Sequence, residues 1–127
     1  MDETIKKKVL VVDDETAVRK LVRKILSKYY DVLEAQNGEE AVNMAQSQKP
    51  DVILMDMMMP KIDGLTACYA IKTNQITRGI PVVMLTAIDY ELNKKLSKDV
   101  MGADGYITKP FDRQELMDAI SPFLATS

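Results

Sequence analysis

Three short runs built of consecutive apolar residues constrain this chain more than any other feature. They are "KVLVV" (Lys8–Val12), "VILM" (residues 52–55) and "IPVVML" (residues 80–85). They are continuous rather than alternating, so the strands they predict must be covered on both faces, as in a parallel sheet. "DVLEA" (Asp31–Ala35) and "GYIT" (Gly105–Thr108) supply two weaker strands. Between the runs lie helical stripes. Val18, Leu21, Val22, Ile25 and Leu26 fall at i, i+3, i+4, i+7 and i+8, and Leu116, Ala119, Ile120, Phe123 and Leu124 repeat that spacing. Residues 39–48 and 65–73 predict shorter helices, and residues 89–100, from Asp89 to Val100, a more polar one carrying Leu92 and Leu96. Asn37-Gly38, Lys49-Pro50, Asp63-Gly64, Gly79 before Pro81, and Gly102 punctuate the pattern.

Five strands alternating with five helices predict an α/β domain with helices on both faces of the sheet. No repeat or linker divides the chain. Its 127 residues are read as one domain (1–127, core about 8–124), large enough to bury a core without staples. Right-handed crossovers bring every strand C-terminus to one edge. In such folds ligands bind at that edge, where the strand order reverses.

The residues expected at that edge carry the chemistry. Asp13, Asp14 and Glu15 follow the first strand, Asp56 the third, Thr86 the fourth, and Lys109-Pro110 the fifth. Singly, each has a plain structural use. An Asp pair after a strand can cap a helix and favour its dipole, and a lone strand-end Asp, Thr or Lys can be solvated. Jointly they place three carboxylates, a hydroxyl and an ammonium on one edge. Two carboxylates 4 Å apart repel by ~4 kcal/mol at an effective dielectric of 20, so three together require partial protonation or a cation. Lys109 supplies one positive charge, and a divalent ion would supply the other two. The donors are all oxygen, and the chain has no histidine and a single cysteine. That favours Mg²⁺, with Mn²⁺ possible, over zinc.

Composition narrows the classes further. The absence of histidine excludes a histidine base, nucleophile or metal ligand. The net charge of −2 argues against direct nucleic-acid binding. Cys68 cannot form an internal disulfide, which suits a reducing compartment, and it reads as a small buried residue. The apolar stretch behind the N-terminal lysines is "VLVV", where a signal peptide needs ~7–15 apolar residues and a spanning helix ~20. The expectation is a cytoplasmic protein with no membrane segment.

The four blocks "VLVVDDE", "DVILMDMMMPKIDG", "PVVMLTA" and "GADGYITKPF" together resemble the receiver domain of two-component response regulators, in order and in spacing, over residues 8–124. The resemblance implies a flavodoxin-like (βα)5 fold, a doubly wound parallel five-stranded sheet of order 2-1-3-4-5. It implies that Asp56 accepts a phosphoryl group from a sensor histidine kinase or phosphotransfer protein. Asp13, Asp14 and the Met58 backbone carbonyl would join Asp56 in holding Mg²⁺. Thr86, Lys109 and the backbone amides of Met57 and Ala87 would hold the phosphoryl oxygens. Thr86 and Tyr106 would form the switch, although Tyr106 taken alone reads as an ordinary half-buried strand aromatic. Residues 89–100, Tyr106 and the last helix would form the face that meets an output protein.

Two positions flank the expected path of hydrolytic water. Met58 lies two after the acceptor and Ile88 two after Thr86, both apolar, which predicts slow self-dephosphorylation unless both simply pack. Arg19, Lys20, Arg23 and Lys24 read as a solvated helix face that could serve kinase docking. The reading is of a signalling protein rather than an enzyme, catalysing only its own phosphorylation and dephosphorylation. It stands alone, CheY-like, or is the receiver part of a larger DNA-binding or enzymatic regulator. Two other classes share features. A flavodoxin-type electron carrier shares the fold, but "DDETA" after the first strand would repel a flavin phosphate. A Mg²⁺-dependent aspartyl-nucleophile phosphatase usually carries a second acid where Met58 stands.

Overall fold

The computed structural model describes residues 6–59, 62–86 and 102–124. The elements run β1 (Lys8–Val12), α1 (Thr16–Leu26), β2 (Asp31–Ala35), α2 (Gly38–Gln48), β3 (Val52–Asp56), α3 (Gly64–Thr73), β4 (Val82–Thr86), β5 (Gly105–Thr108) and α4 (Arg113–Leu124). All strand pairs are parallel, in the order β2-β1-β3-β4-β5. This is the flavodoxin-like arrangement. The helix predicted over residues 89–100 lies outside the described residues.

The continuous apolar runs have a direct explanation. Along β1, Leu10 and Val12 join one buried cluster while Val9 and Val11 join the other; along β3, Ile53 and Met55 separate from Val52 and Leu54 in the same way. The period-2 alternation of a strand sends successive side chains to opposite faces, and both faces are dry. Ala41 and Ala45 of α2 and Ala67, Cys68 and Ile71 of α3 close one face. Val22 and Leu26 of α1 and Leu116, Ile120 and Leu124 of α4 close the other.

Local signals set the helix starts. Asn37 caps α2 by accepting from the Glu40 amide, and Glu40 reaches back to the Gln36 amide. Asp63 caps α3 through the Thr66 amide, and Asp112 with Glu115 forms a reciprocal pair at the start of α4. Lys49, at φ 48°, ends α2 in the left-handed region just before Pro50.

The boundaries of two strands differ from expectation. β3 runs through Asp56 and β4 through Thr86, so both polar residues are the last rungs of the ladder rather than the first residues of loops: Asp56 registers with Leu85 and Thr86 with Thr108. Ile80 and Pro81 precede β4, because the Ile80 amide is drawn back to the Thr77 carbonyl in a turn and Pro81 has no amide to give.

Candidate functional site

The order reversal falls between β1 and β3, and the polar strand ends gather there. The end of β1 is held across the sheet by a hydrogen bond from the Asp13 amide to the Ala35 carbonyl. Asp13 is fully buried: its Oδ1 accepts from the Glu15 amide at 2.9 Å and its Oδ2 from Lys109 Nζ at 2.7 Å. It therefore does not cap α1. The capping position is Glu15, which makes no side-chain cap bond.

Asp56, 6% exposed, closes β3. Its carboxylate lies 3.4 Å from Lys109 Nζ and 3.4 Å from the Met58 amide. Lys109 is brought in by β5, whose ladder continues one residue further through the Lys109 amide and the Thr86 carbonyl. Asp14 is exposed beside them, and one oxygen each from Asp13, Asp14 and Asp56 lie within 4.8 Å of one another. Glu15 stands 3.8 Å from Lys109 Nζ.

Charge in this pocket is out of balance. Burial first, and then the neighbouring Asp13, push Asp56 up to about 6, against the pull of Lys109. Burial works against the charge on Lys109, yet Asp13 and Asp56 outweigh it and raise its pKa. The donor set, carboxylate oxygens with an ionisation cost already imposed on one of them, fits a hard divalent cation. Asp13, Asp14 and Asp56 are the residues that could hold it.

The loop after β3 is shaped for this. The Gly64 amide bonds the Met57 carbonyl at 3.0 Å, and a Cβ on Gly64 would overlap the Asp56 carbonyl, so only glycine lets α3 start against the strand end. Met57 and Met59 are buried, whereas Met58 is 76% exposed. The reading in which Met58 simply packs does not hold.

Other expectations need correction. The Met57 amide is not free to meet a ligand, because it bonds the Leu85 carbonyl at 2.8 Å as the β3–β4 ladder runs on; the amide facing the Asp56 carboxylate is that of Met58. Arg19 is not on a solvated face. It is 8% exposed and bonds the Asp13 carbonyl at 2.7 Å, Glu34 at 3.0 Å and the Thr16 hydroxyl at 3.2 Å. Arg23 likewise ties Glu34 and the Val32 carbonyl, and this pairing, Arg23 foremost, holds the Glu34 pKa below its usual value. Lys20 and Lys24 are exposed as expected.

Thr86 is buried at the end of β4, and Tyr106 is half-buried, packed against the cluster under α2 and α3. Ala87, Ile88 and residues 89–100 lie outside the described residues. Cys68 is buried, and burial pushes its thiol up to about 11, so it is unreactive.

A family model for the response regulator receiver domain matches residues 9–121. The chain belongs to that family. As a receiver domain of two-component response regulators it is a phosphoryl-accepting signalling module. It is 41% identical over 122 residues to the alkaline phosphatase synthesis transcriptional regulatory protein PhoP of Bacillus subtilis (strain 168), covering 95% of this chain and 50% of that protein. It is 45% identical over 120 residues to the chemotaxis protein CheY of Halobacterium salinarum, covering 93% of this chain and 97% of that one. The receiver domain thus spans about half of the first relative and nearly all of the second. Among solved structures it resembles Vibrio cholerae chemotaxis protein CheY4 (TM-score 0.87, 32% identity, 94% of this chain and 99% of that chain). It also resembles the receiver domain of sensor histidine kinase PA1611 from Pseudomonas aeruginosa (TM-score 0.86, 28% identity, 95% and 99%), which has a magnesium ion coordinated in its active site cleft. Among the described residues no helix is long and apolar enough to cross a membrane.

Proposed function

We propose that Asp56 is the phospho-acceptor of this receiver domain and that Asp13, Asp14 and Asp56, with the Met58 carbonyl, hold Mg²⁺ while it reacts. One observation carries the reading: among the described residues, three carboxylates from two strand ends converge within 4.8 Å with one lysine, Lys109, among them. When bound, the metal neutralises charge on the acids and on the phosphoryl oxygens. An Asp56 oxygen attacks phosphorus as the bond to the donor nitrogen of a phosphohistidine breaks, leaving the donor imidazole and an acyl phosphate on Asp56. Lys109 Nζ, already 3.4 Å from Asp56, stabilises the charge that builds on an equatorial oxygen. Thr86 and the Met58 and Ala87 amides serve the remaining phosphoryl oxygens.

The partners follow from the surfaces. A groove of about 420 Å³ lined by Val18, Leu21, Lys109, Pro110 and Phe111 adjoins the acceptor pocket, with Leu21 43% exposed. It suits an apolar helix of the histidine kinase or phosphotransfer protein, and Lys20 and Lys24 are exposed on the same helix α1. Output is assigned to Thr86 and Tyr106 together with α4 and residues 89–100, which lie outside the described residues, in a single cytoplasmic domain that catalyses only its own phosphoryl chemistry. The exposed Met58 side chain cannot hold water by hydrogen bonding, so hydrolysis is slow. A phosphoryl half-life that does not shorten in Met58→Asn contradicts that part.

Incubation with a small-molecule phosphodonor and Mg²⁺, followed by intact mass, tests the core. The wild type gains one phosphoryl group and Asp56→Asn gains none. Turnover of an aryl phosphate would point instead to an aspartyl-nucleophile phosphatase.

A further inference from the structure

We propose that Arg19 is a positioning residue for the acid pocket, acting through the main chain of Asp13; this rests on the Mg²⁺ reading above. The guanidinium sits behind the pocket, on α1, and is spent on three acceptors from three places: the Asp13 carbonyl, the Glu34 carboxylate on β2 and the Thr16 hydroxyl. A guanidinium is a rigid planar fork, so fixing two of its donors fixes the direction of the third.

The bond to Asp13 matters because of what the peptide plane carries. Asp13 contributes the buried acid, and Asp14 the exposed one. The bond between them is planar, so a donor holding the Asp13 carbonyl also sets the direction in which Asp14 leaves the strand. The Asp13 amide is already held by Ala35 at 3.1 Å, and its carboxylate by the Glu15 amide and Lys109. Arg19 is the constraint on the remaining carbonyl. Its donors go to the Asp13 carbonyl, Glu34 and Thr16 rather than to the pocket carboxylates, so the acids receive orientation from it rather than a competing cation.

Arg23 is the natural control. It grips the same Glu34 and the Val32 carbonyl, so it clamps α1 to β2 as Arg19 does, but no bond joins it to Asp13.

Isothermal titration of Mg²⁺ into wild type, Arg19→Met, Arg19→Lys and Arg23→Met, with urea unfolding of each, separates the roles. Arg19→Met is expected to weaken Mg²⁺ binding about tenfold or more, and Arg23→Met by less than about twofold despite a comparable loss of stability. Arg19→Lys keeps the charge but cannot span Glu34 and the carbonyl together. It is expected to fold and to bind several-fold more weakly, and it carries the comparison if Arg19→Met does not fold. Arg19 variants that bind Mg²⁺ like wild type, or an Arg23→Met that loses as much, overturn the proposal. A wild type that takes up no Mg²⁺ overturns the metal reading itself, before any variant is considered.

Discussion

At the end of the sheet where strands begin, Asp104 accepts from the Val82 amide at 2.9 Å and from Lys72 Nζ at 3.0 Å, and Asp51 accepts from the Lys8 amide at 2.7 Å. At the end where strands finish, Asp13, Asp14 and Asp56 crowd together, with Lys109 as the cation among them. Both ends are built from acids and lysines. At the first, each carboxylate has its donors and ties elements together. At the second, among the described residues, the acids outnumber their cationic partners, and Asp56 is driven towards its protonated form. Charge balance, rather than the presence of charge, separates the scaffold from the site.

Lysine removal breaks the comparison most sharply. Lys109→Met strands the fully buried Asp13 without its cation and is expected to cost about 3–5 kcal/mol in urea unfolding at neutral pH without metal. It should also abolish phosphorylation. Lys72→Met removes a cation from the balanced end, where Asp104 keeps its bond from the Val82 amide. There the loss should be about 1–2 kcal/mol, with phosphorylation unchanged.

Removing an acid at the unbalanced end should do the opposite. Asp56 is raised from 3.8 to about 6, so the folded chain holds that proton more tightly than the unfolded one. Stability therefore falls as pH rises through that window, and above it the full cost is present, about 3 kcal/mol. Asp56→Asn is expected to stabilise the metal-free protein by roughly that amount at about pH 7.5, and the gain should shrink towards about pH 4 and vanish below about pH 3, where Asp56 is protonated in both states. A melting temperature that Asp56→Asn lowers or leaves unchanged at neutral pH would remove the imbalance from the account.

The fold was largely legible because both sheet faces are dry, which leaves continuous apolar runs in the sequence. The acids were legible because a parallel sheet sends every strand end to one edge. Arg19 was not. The stripe through Val18, Leu21, Val22, Ile25 and Leu26 left it on the polar side, yet Arg19 and Leu26, seven residues apart, project only about 20° apart around the helix. The buried line of α1 is Arg19, Val22 and Leu26, while Leu21 faces the groove. A polar residue in line with buried ones was the available signal, and what satisfies it, a strand-end carbonyl and an acid on β2, comes only from the tertiary arrangement. The Met57 amide is hidden for a related reason: the apolar run ends at Met55, but the hydrogen bonding of the strand continues past Asp56.

The most direct measurement is a side-chain carboxyl NMR titration of Asp56, with and without Mg²⁺. Without metal, Asp56 should titrate near pH 6, and addition of Mg²⁺ should move its transition strongly to lower pH. A transition at the ordinary aspartate value that Mg²⁺ leaves in place would contradict a pocket of unbalanced acids built to receive a cation.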